Sequence, residues 1–298
     1  MSSSQCPVCG GDLLPEIAPW HLVCVGCRYE GSSLQPSIVA RNSDVELDEG
    51  SRETALRPLR QQNFQVIAAE LASMIGDSSA DVRPTLLDVG CAHGWFIEAC
   101  NRHFDVTGIE PDSRVAKEAS ERVGPIREGF FPDVLLPEER FDVIAFNDVL
   151  EHIPDVADVL LSCNKHLSEG GMLVVNAPNR LGALYRISKV LARVGRPDSF
   201  CRMWQHGFPS PHVHYFDARS IAALAAAAGF EMMKRDRLPS VLARGLYSRI
   251  RYSSSVSPAK AGVIALGIGA LMPILRLLPP DIEVWYFRKR RELKTPDQ

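Results

Sequence analysis

Short apolar runs alternate with helical stretches through the middle of the chain, and that rhythm predicts the fold. Thr85–Val89, Val106–Glu110, Phe141–Asn147 and Met172–Pro178 are nearly continuous apolar runs, the pattern of strands buried on both faces. A third strand in the series ends at Gly129-Phe130. Between the runs the period changes. Phe64, Ile67, Ala68, Leu71 and Ile75 share one face of a helical pattern that opens at Thr54, and Val156, Val159, Leu160, Cys163 and Leu167 do the same before Gly170-Gly171 breaks the helix. Further on, Leu184–Val194 and Ser220–Ala228 read as helices, the second closed by Gly229. Phe230–Leu238 and Ile282–Arg288 read as the last two strands. This alternation predicts an α/β fold on a doubly wound sheet. Segments 179–217 and 240–280 interrupt it, and connections of that length are more often functional than idle.

The strand ends carry the chemistry. The first run passes through Asp88 into Gly90, Cys91, Ala92, His93 and Gly94, and the second ends at Glu110. Glycines there let backbone approach a ligand where a Cβ would clash. Glu110 follows Asp88 by about 20 positions, the spacing at which an acid closing the second strand meets a ribose diol. The turn reads Asp-x-Gly-x-Ala-x-Gly rather than Gly-x-Gly-x-x-Gly. A carboxylate at Asp88 repels a pyrophosphate and suits a ligand with a positive centre.

Together with Asp148–Pro154 after the fourth strand and Gly170–Pro178 around the fifth, these segments resemble the class I S-adenosylmethionine (SAM) methyltransferases, over roughly residues 60–178 and again over 218–238. The resemblance implies a Rossmann-like seven-stranded sheet with a reversed final strand, SAM as cofactor, and a leading helix laid across its pocket. It places Asp88, Gly90, Ala92 and Gly94 along the methionine and ribose, with Ala92 departing from the commoner glycine. It gives the ribose hydroxyls to Glu110, the adenine edge to Pro111 and Asp112, the adenine ring to Gly129 and Phe130, and the methionine part to Asn147. Methyl transfer from a sulfonium is an in-line displacement in which the protein aligns the reactants and excludes water. A hydroxyl acceptor also needs a base. The candidates are His214 and His212 first, then His152, with His206 in the same loop, because histidine titrates near neutral pH. Asp148, Glu151 and His152 are similar to a set in ubiquinone-pathway O-methyltransferases that can hold a divalent ion.

Charge narrows the substrate class. A net charge of −3 provides no overall basic field for a nucleic-acid backbone, so a small or lipophilic acceptor, methylated at oxygen, is the leading expectation. An RNA methyltransferase and a catalytically silent SAM-binding docking protein stand as alternatives. The polar opening residues predict no leader peptide and a cytoplasmic protein. No pattern in the chain selects an oligomeric state.

Cys6, Cys9, Cys24 and Cys27 form two C-x2-C pairs, each able to present two thiolates to one ion. Residues 1–35 therefore read as a zinc-ribbon-like module with a structural Zn2+, followed by a linker over 36–58 and the methyltransferase domain over 59–298. A closed shell of four thiolates has no open position, which assigns it to structure or docking. His21, between the pairs, is expected on the ribbon surface. The apolar stretch 261–275 is shorter than the roughly 20 residues that span a bilayer. It suggests either a buried helix or a peripheral membrane contact flanked by Arg244, Arg249, Arg251, Lys260 and Arg276.

Overall fold

The computed structural model describes residues 5–37, 49–76, 82–240, 246–247, 250, 257–275 and 277–291. Strands β1 (Leu13–Pro15), β2 (His21–Cys24) and β3 (Glu30–Ser32) form the cysteine-bearing N-terminal unit. Helix α1 (Glu49–Ile75) leads into the main domain. There β4 (Thr85–Val89), α2 (Trp95–Cys100), β5 (Asp105–Glu110), α3 (Ser113–Val123), β6 (Ile126–Glu128), β7 (Phe141–Asn147), α4 (Val156–His166) and β8 (Leu167–Pro178) alternate as expected. Helices α5 (Ala183–Arg193) and α6 (Asp198–Met203), the short strand β9 (His214–Tyr215) and α7 (Ala218–Ala227) follow, then β10 (Phe230–Leu238), α8 (Pro258–Leu275) and β11 (Ile282–Lys289).

The main sheet has seven strands in the order β6-β5-β4-β7-β8-β11-β10. β4 to β8 run parallel, and β11 is antiparallel to both β8 and β10. The period of two along each strand divides the core into two layers. Leu87, Val89, Ile144, Phe146, Leu173, Val175, Trp285 and Phe287 face α4 and α7. Leu86, Val106, Val143, Ala145, Met172, Val174, Val284 and Tyr286 face α1 and α2. With both faces covered, neither can be polar, which is why the central strands read as unbroken apolar runs.

Helix α1 starts at Glu49, inside the stretch expected to be linker, and Pro58 lies within it. Its first turns are rich in charged and small residues, so apolar periodicity does not mark them. Residues 38–48 of the expected linker lie outside the described residues. Helix α6, in a stretch that reads as turns, is six residues long and too short to show a period. Asp217 caps α7: its side chain accepts from Arg219 and Ser220 N–H, and the Ser220 hydroxyl oxygen accepts the Asp217 N–H in return.

The N-terminal unit is not a detached ribbon. β9, from the 179–217 insert, adds to β3 and completes a four-stranded sheet in the order β1-β2-β3-β9, with Glu30 opposite Tyr215 and Gly31 opposite His214. Trp20 stacks on Phe200 with ring centroids 5.7 Å apart, against the buried cluster of Tyr185, Phe200, Trp204 and Tyr215. Below this cluster Glu30 is buried. Its Oε2 accepts the Tyr185 hydroxyl at 2.6 Å and His21 Nε2 at 3.1 Å, and its Oε1 accepts Lys189 Nζ at 2.8 Å. His21 is thus not a surface residue: it is 0% exposed and locked to Glu30. Burial pushes the Glu30 carboxyl up, but His21, Lys189 and Tyr185 outweigh it and hold the group at about 2.

Candidate active site

β4 is the switch point of the sheet: the chain leaves it toward β5 on one side and returns through β7 on the other. A crevice opens outside the carboxyl ends of the strands at such a point. Asp88 and Asn147 face each other across it, with Asn147 Nδ2 donating to Asp88 Oδ1 at 3.4 Å. Asp88 is only 1% exposed. Burial pushes its carboxyl up to about 8; the Asn147 bond pulls it down and the charge of Glu110 adds to the rise.

The glycine turn fits its surroundings closely. Gly90 adopts φ 69, and a Cβ there would come within 2.6 Å of Val149 Cγ2. Ala92, the departure from glycine, also takes a left-handed φ of 44, at a cost of roughly 1 kcal/mol. Glu110 holds that conformation, because Oε2 accepts Ala92 N–H at 2.9 Å while Oε1 accepts Asp112 N–H at 3.0 Å. Burial raises the Glu110 carboxyl, and these two bonds oppose the rise. A carboxylate has about four lone-pair positions, so capacity remains for a diol. Gly129 N–H donates to the Glu110 carbonyl at 3.1 Å, bringing the Gly129–Phe130 turn beside it, and Phe130 is 46% exposed at the rim. Asp112 Oδ1 caps α3 through Arg114 and Val115 N–H. Hydrogen bonds and close packing thus place Asp88, Gly90, Ala92, Glu110, Gly129 and Asn147 at the carboxyl ends of β4, β5, β6 and β7 and in the turns that follow.

Several buried polar atoms near these strand ends have no hydrogen-bond partner: Asn147 Oδ1, Asn176 Oδ1, Trp95 Nε1 and both carboxylate oxygens of Glu151. Buried polar groups ordinarily have a partner, and a ligand bound at the strand ends would supply one here. The glycine-lined approach and two buried acids suit an adenosyl donor with a cationic sulfur.

Val149, packed on Gly90, connects the crevice to a second cluster. A 3-10 turn, Leu150–His152, follows it. Glu151, His152 and His212 offer ligand atoms that all lie within 4.8 Å of one another. Glu151 is 1% exposed; burial raises its carboxyl well above the usual range and the charge of Asp148 adds to that. His152 Nδ1 lies 3.0 Å from the Pro211 carbonyl and 3.1 Å from the Ser210 hydroxyl. The rings of His152 and His212 meet edge to face, centroids 4.7 Å apart. Three O/N atoms at this spacing fit a divalent cation, although the third member is His212 of the insert, not Asp148. The Asp148 carboxylate points instead to Arg60 of α1 at 3.3 Å. No periodicity argument singles out Arg60, or Arg57, whose guanidinium lies 6.0 Å from the Trp95 ring centroid. Both follow from α1 crossing the crevice.

His214 is placed differently from the expected base. Nε2 donates to the Ile153 carbonyl at 2.8 Å, and Nδ1 accepts the Tyr29 hydroxyl. Burial lowers its imidazole to about 4. With both nitrogens engaged, its role here is to hold chain segments together. At the N-terminal unit, Cys6 and Cys27 Sγ are 3.5 Å apart, as are Cys9 and Cys24 Sγ. A tetrahedral Zn–S shell puts sulfurs about 3.8 Å apart, and a disulfide requires about 2 Å. The four thiols match the first geometry.

A family model described as a methyltransferase domain matches residues 52–234. The ubiquinone biosynthesis O-methyltransferase of Cereibacter sphaeroides is 28% identical over 163 residues, 50% of this chain and 66% of that protein. The enzyme of the same name from Paramagnetospirillum magneticum is 33% identical over 147 residues, 45% of this chain and 59% of that protein. The chain thus matches less than two thirds of the length of these curated relatives. A SAM-dependent methyltransferase structure from Thermotoga maritima shares the fold, with a TM-score of 0.52 at 15% identity, covering 82% of this chain and 96% of that one.

Proposed function

We propose, for a chain that belongs to the class I SAM-dependent methyltransferase family, that it moves the methyl group of SAM to a hydroxyl oxygen of a small lipophilic acceptor. The observation that carries this reading is the junction of two sites through Val149. The donor cradle of Asp88, Gly90 and Glu110 stands on one side, and the buried Glu151–His152–His212 cluster on the other. The name of the ubiquinone-pathway relatives supports an aromatic hydroxyl as acceptor.

In this reading Glu110 takes the ribose diol, Asp88 faces the cationic end of the donor, and Arg60 steadies the strand end that carries Asp148. His152 and His212 stand where an acceptor proton would leave. A divalent cation held by Glu151, His152 and His212 would lower the pKa of an acceptor hydroxyl. Cys6, Cys9, Cys24 and Cys27 would hold a structural zinc.

Access of a lipophilic acceptor is assigned to a membrane surface. α8 exposes Val263 and Leu266, the latter at 77%, beside the exposed Lys260. The basic residues Arg244, Arg249, Arg251 and Arg276 lie outside the described residues. Among the described residues, no helix is long and apolar enough to cross a membrane, so the contact would be peripheral.

The test is calorimetry with SAM, followed by methyl transfer from labelled SAM to a panel of catechols and phenols bearing alkyl chains. Tight donor binding with transfer to a phenolic oxygen supports the proposal. Absence of donor binding defeats it, and transfer to RNA in preference to every phenol redirects it to a nucleic-acid substrate.

A further inference from the structure

The cysteine ribbon holds the acceptor-side cluster by three routes. Ser32 Oγ donates to the His212 carbonyl at 2.8 Å, and Ser32 N–H donates to the Val213 carbonyl at 3.0 Å. Val213 N–H in turn donates to the Glu151 carbonyl at 2.8 Å. Tyr29 donates to His214, whose other nitrogen donates to the Ile153 carbonyl, the residue after the 3-10 turn. β3 therefore grips the backbone of His212 and Val213 directly, and grips the Glu151–His152 turn one hydrogen bond further on. Cys6, Cys24 and Tyr29 lie in the same buried cluster as Leu150, with Ile153 packed against it.

β3 cannot hold this position by its own strength. β1, β2 and β3 are three or four residues long, and a unit of this size cannot bury enough apolar surface to fold alone. Its order depends on what it packs against and on what joins its four thiols. The donor cradle depends on other parts. Asp88, Ala92, Glu110 and Asn147 are held by bonds among β4, β5, β7 and the turns that follow them.

We infer, building on the methyl-transfer reading above, that the ribbon is the outer wall of the acceptor site. Metal loading of Cys6, Cys9, Cys24 and Cys27 sets the position of His212 and of the Glu151–His152 turn, leaving the donor cradle unaffected. Tyr29 and Ser32 are the positioning residues that transmit it. Metal occupancy of the four thiols is then read at the acceptor end of the enzyme.

The experiment uses the full chain, zinc-loaded or stripped with a mercurial and chelator and then kept reduced. Amide exchange is followed by mass spectrometry, with SAM calorimetry alongside. Stripping is expected to release about one zinc per chain and to accelerate exchange about tenfold or more in peptides covering 150–153 and 212–216. Exchange in β4 and β7, and SAM affinity, should stay within about twofold. With magnesium restored to saturation in both samples, so that they differ only at the thiols, the ring resonances of His152 and His212 should shift at the same time, a signature that general softening of the ribbon does not produce. Tyr29→Phe, which keeps the ring and loses the hydroxyl, should retain the zinc and show the faster exchange at 150–153 without stripping. The inference is overturned if the reduced chain binds no zinc. It is equally overturned if exchange in the two peptides does not respond to stripping, or if β4 and β7 loosen to the same degree. A chain that shows the exchange contrast and yet fails to bind SAM defeats the methyltransferase reading and leaves the coupling standing.

Discussion

Donor binding should be coupled to the ionisation of Asp88. Its carboxyl is buried at the switch point and pushed up to about 8 by desolvation, against about 3.9 for a free aspartate. At pH 7 the empty site then holds Asp88 neutral by about ten to one, because one pH unit corresponds to about 1.4 kcal/mol. A cationic donor favours the carboxylate, so binding at pH 7 must expel that proton. SAM affinity should therefore rise about tenfold per unit as pH approaches 8 and level off above it. Stability of the empty protein follows the opposite trend. The folded state binds a proton that the unfolded state has already released, so this group's contribution is complete below about pH 4 and declines as pH rises to about 8. The thermal shift given by SAM should then be largest at alkaline pH. Calorimetry in two buffers of different ionisation enthalpy reads the proton directly, and about one should be released near pH 6.5. Asp88→Asn should abolish the pH dependence and weaken binding at pH 8.5 by about 10- to 100-fold, the value of a charge-assisted contact. A donor affinity that is flat between about pH 6 and 9, with no proton released, would refute the assignment of Asp88 to the cationic end of the ligand.

Three other outcomes are expected. Glu110→Ala removes both the diol acceptor and the bonds that hold Ala92 at φ 44, so SAM affinity measured by calorimetry should fall by 100-fold or more. Glu151→Gln and His152→Ala should each lower turnover with a phenolic acceptor about 100-fold while SAM affinity changes less than about threefold, and manganese or magnesium should restore EDTA-treated wild type but neither variant. Glu30→Ala leaves His21, Tyr185 and Lys189 without their shared acceptor; breaking a buried ionic cluster from one side costs about 3–5 kcal/mol, which denaturant unfolding followed by tryptophan fluorescence should detect.

The sheet was legible because its central strands are covered on both faces. That requirement writes Phe141–Asn147 and Met172–Pro178 as apolar runs, and the acid ending each of the first two strands then marks the crevice. What escaped was contact between elements remote in sequence. His21 carries no local sign of burial; its partner Glu30 and the Tyr185 and Lys189 that share the site belong to two different units. Asp148 lies in helical register with Glu151 and His152, but it sits at a left-handed φ of 55 ahead of a 3-10 turn. The i, i+3, i+4 rule therefore does not apply there, and His212 takes the third position. Residue type alone makes His214 a candidate base, since histidine titrates near neutral pH. Only its burial and its two partners reveal a structural post.

The same contacts explain why an insert and an appended ribbon occur in one chain. The 179–217 insert contributes a two-residue strand, far too short to persist as a free edge, and the ribbon's own three strands end at β3, three residues long. Pairing covers the outer edge of β3, and the buried charge of Glu30 favours one register. A one-residue slip would turn Glu30 away from Lys189 and point His214 away from Ile153. The ionic cluster thus works as a register pin whose main contribution is specificity, the best-supported use of a buried charge. Register in β3 fixes which backbone carbonyl meets Ser32, and through it where His212 stands above the switch point. A loss of register should therefore damage acceptor chemistry before it damages the fold.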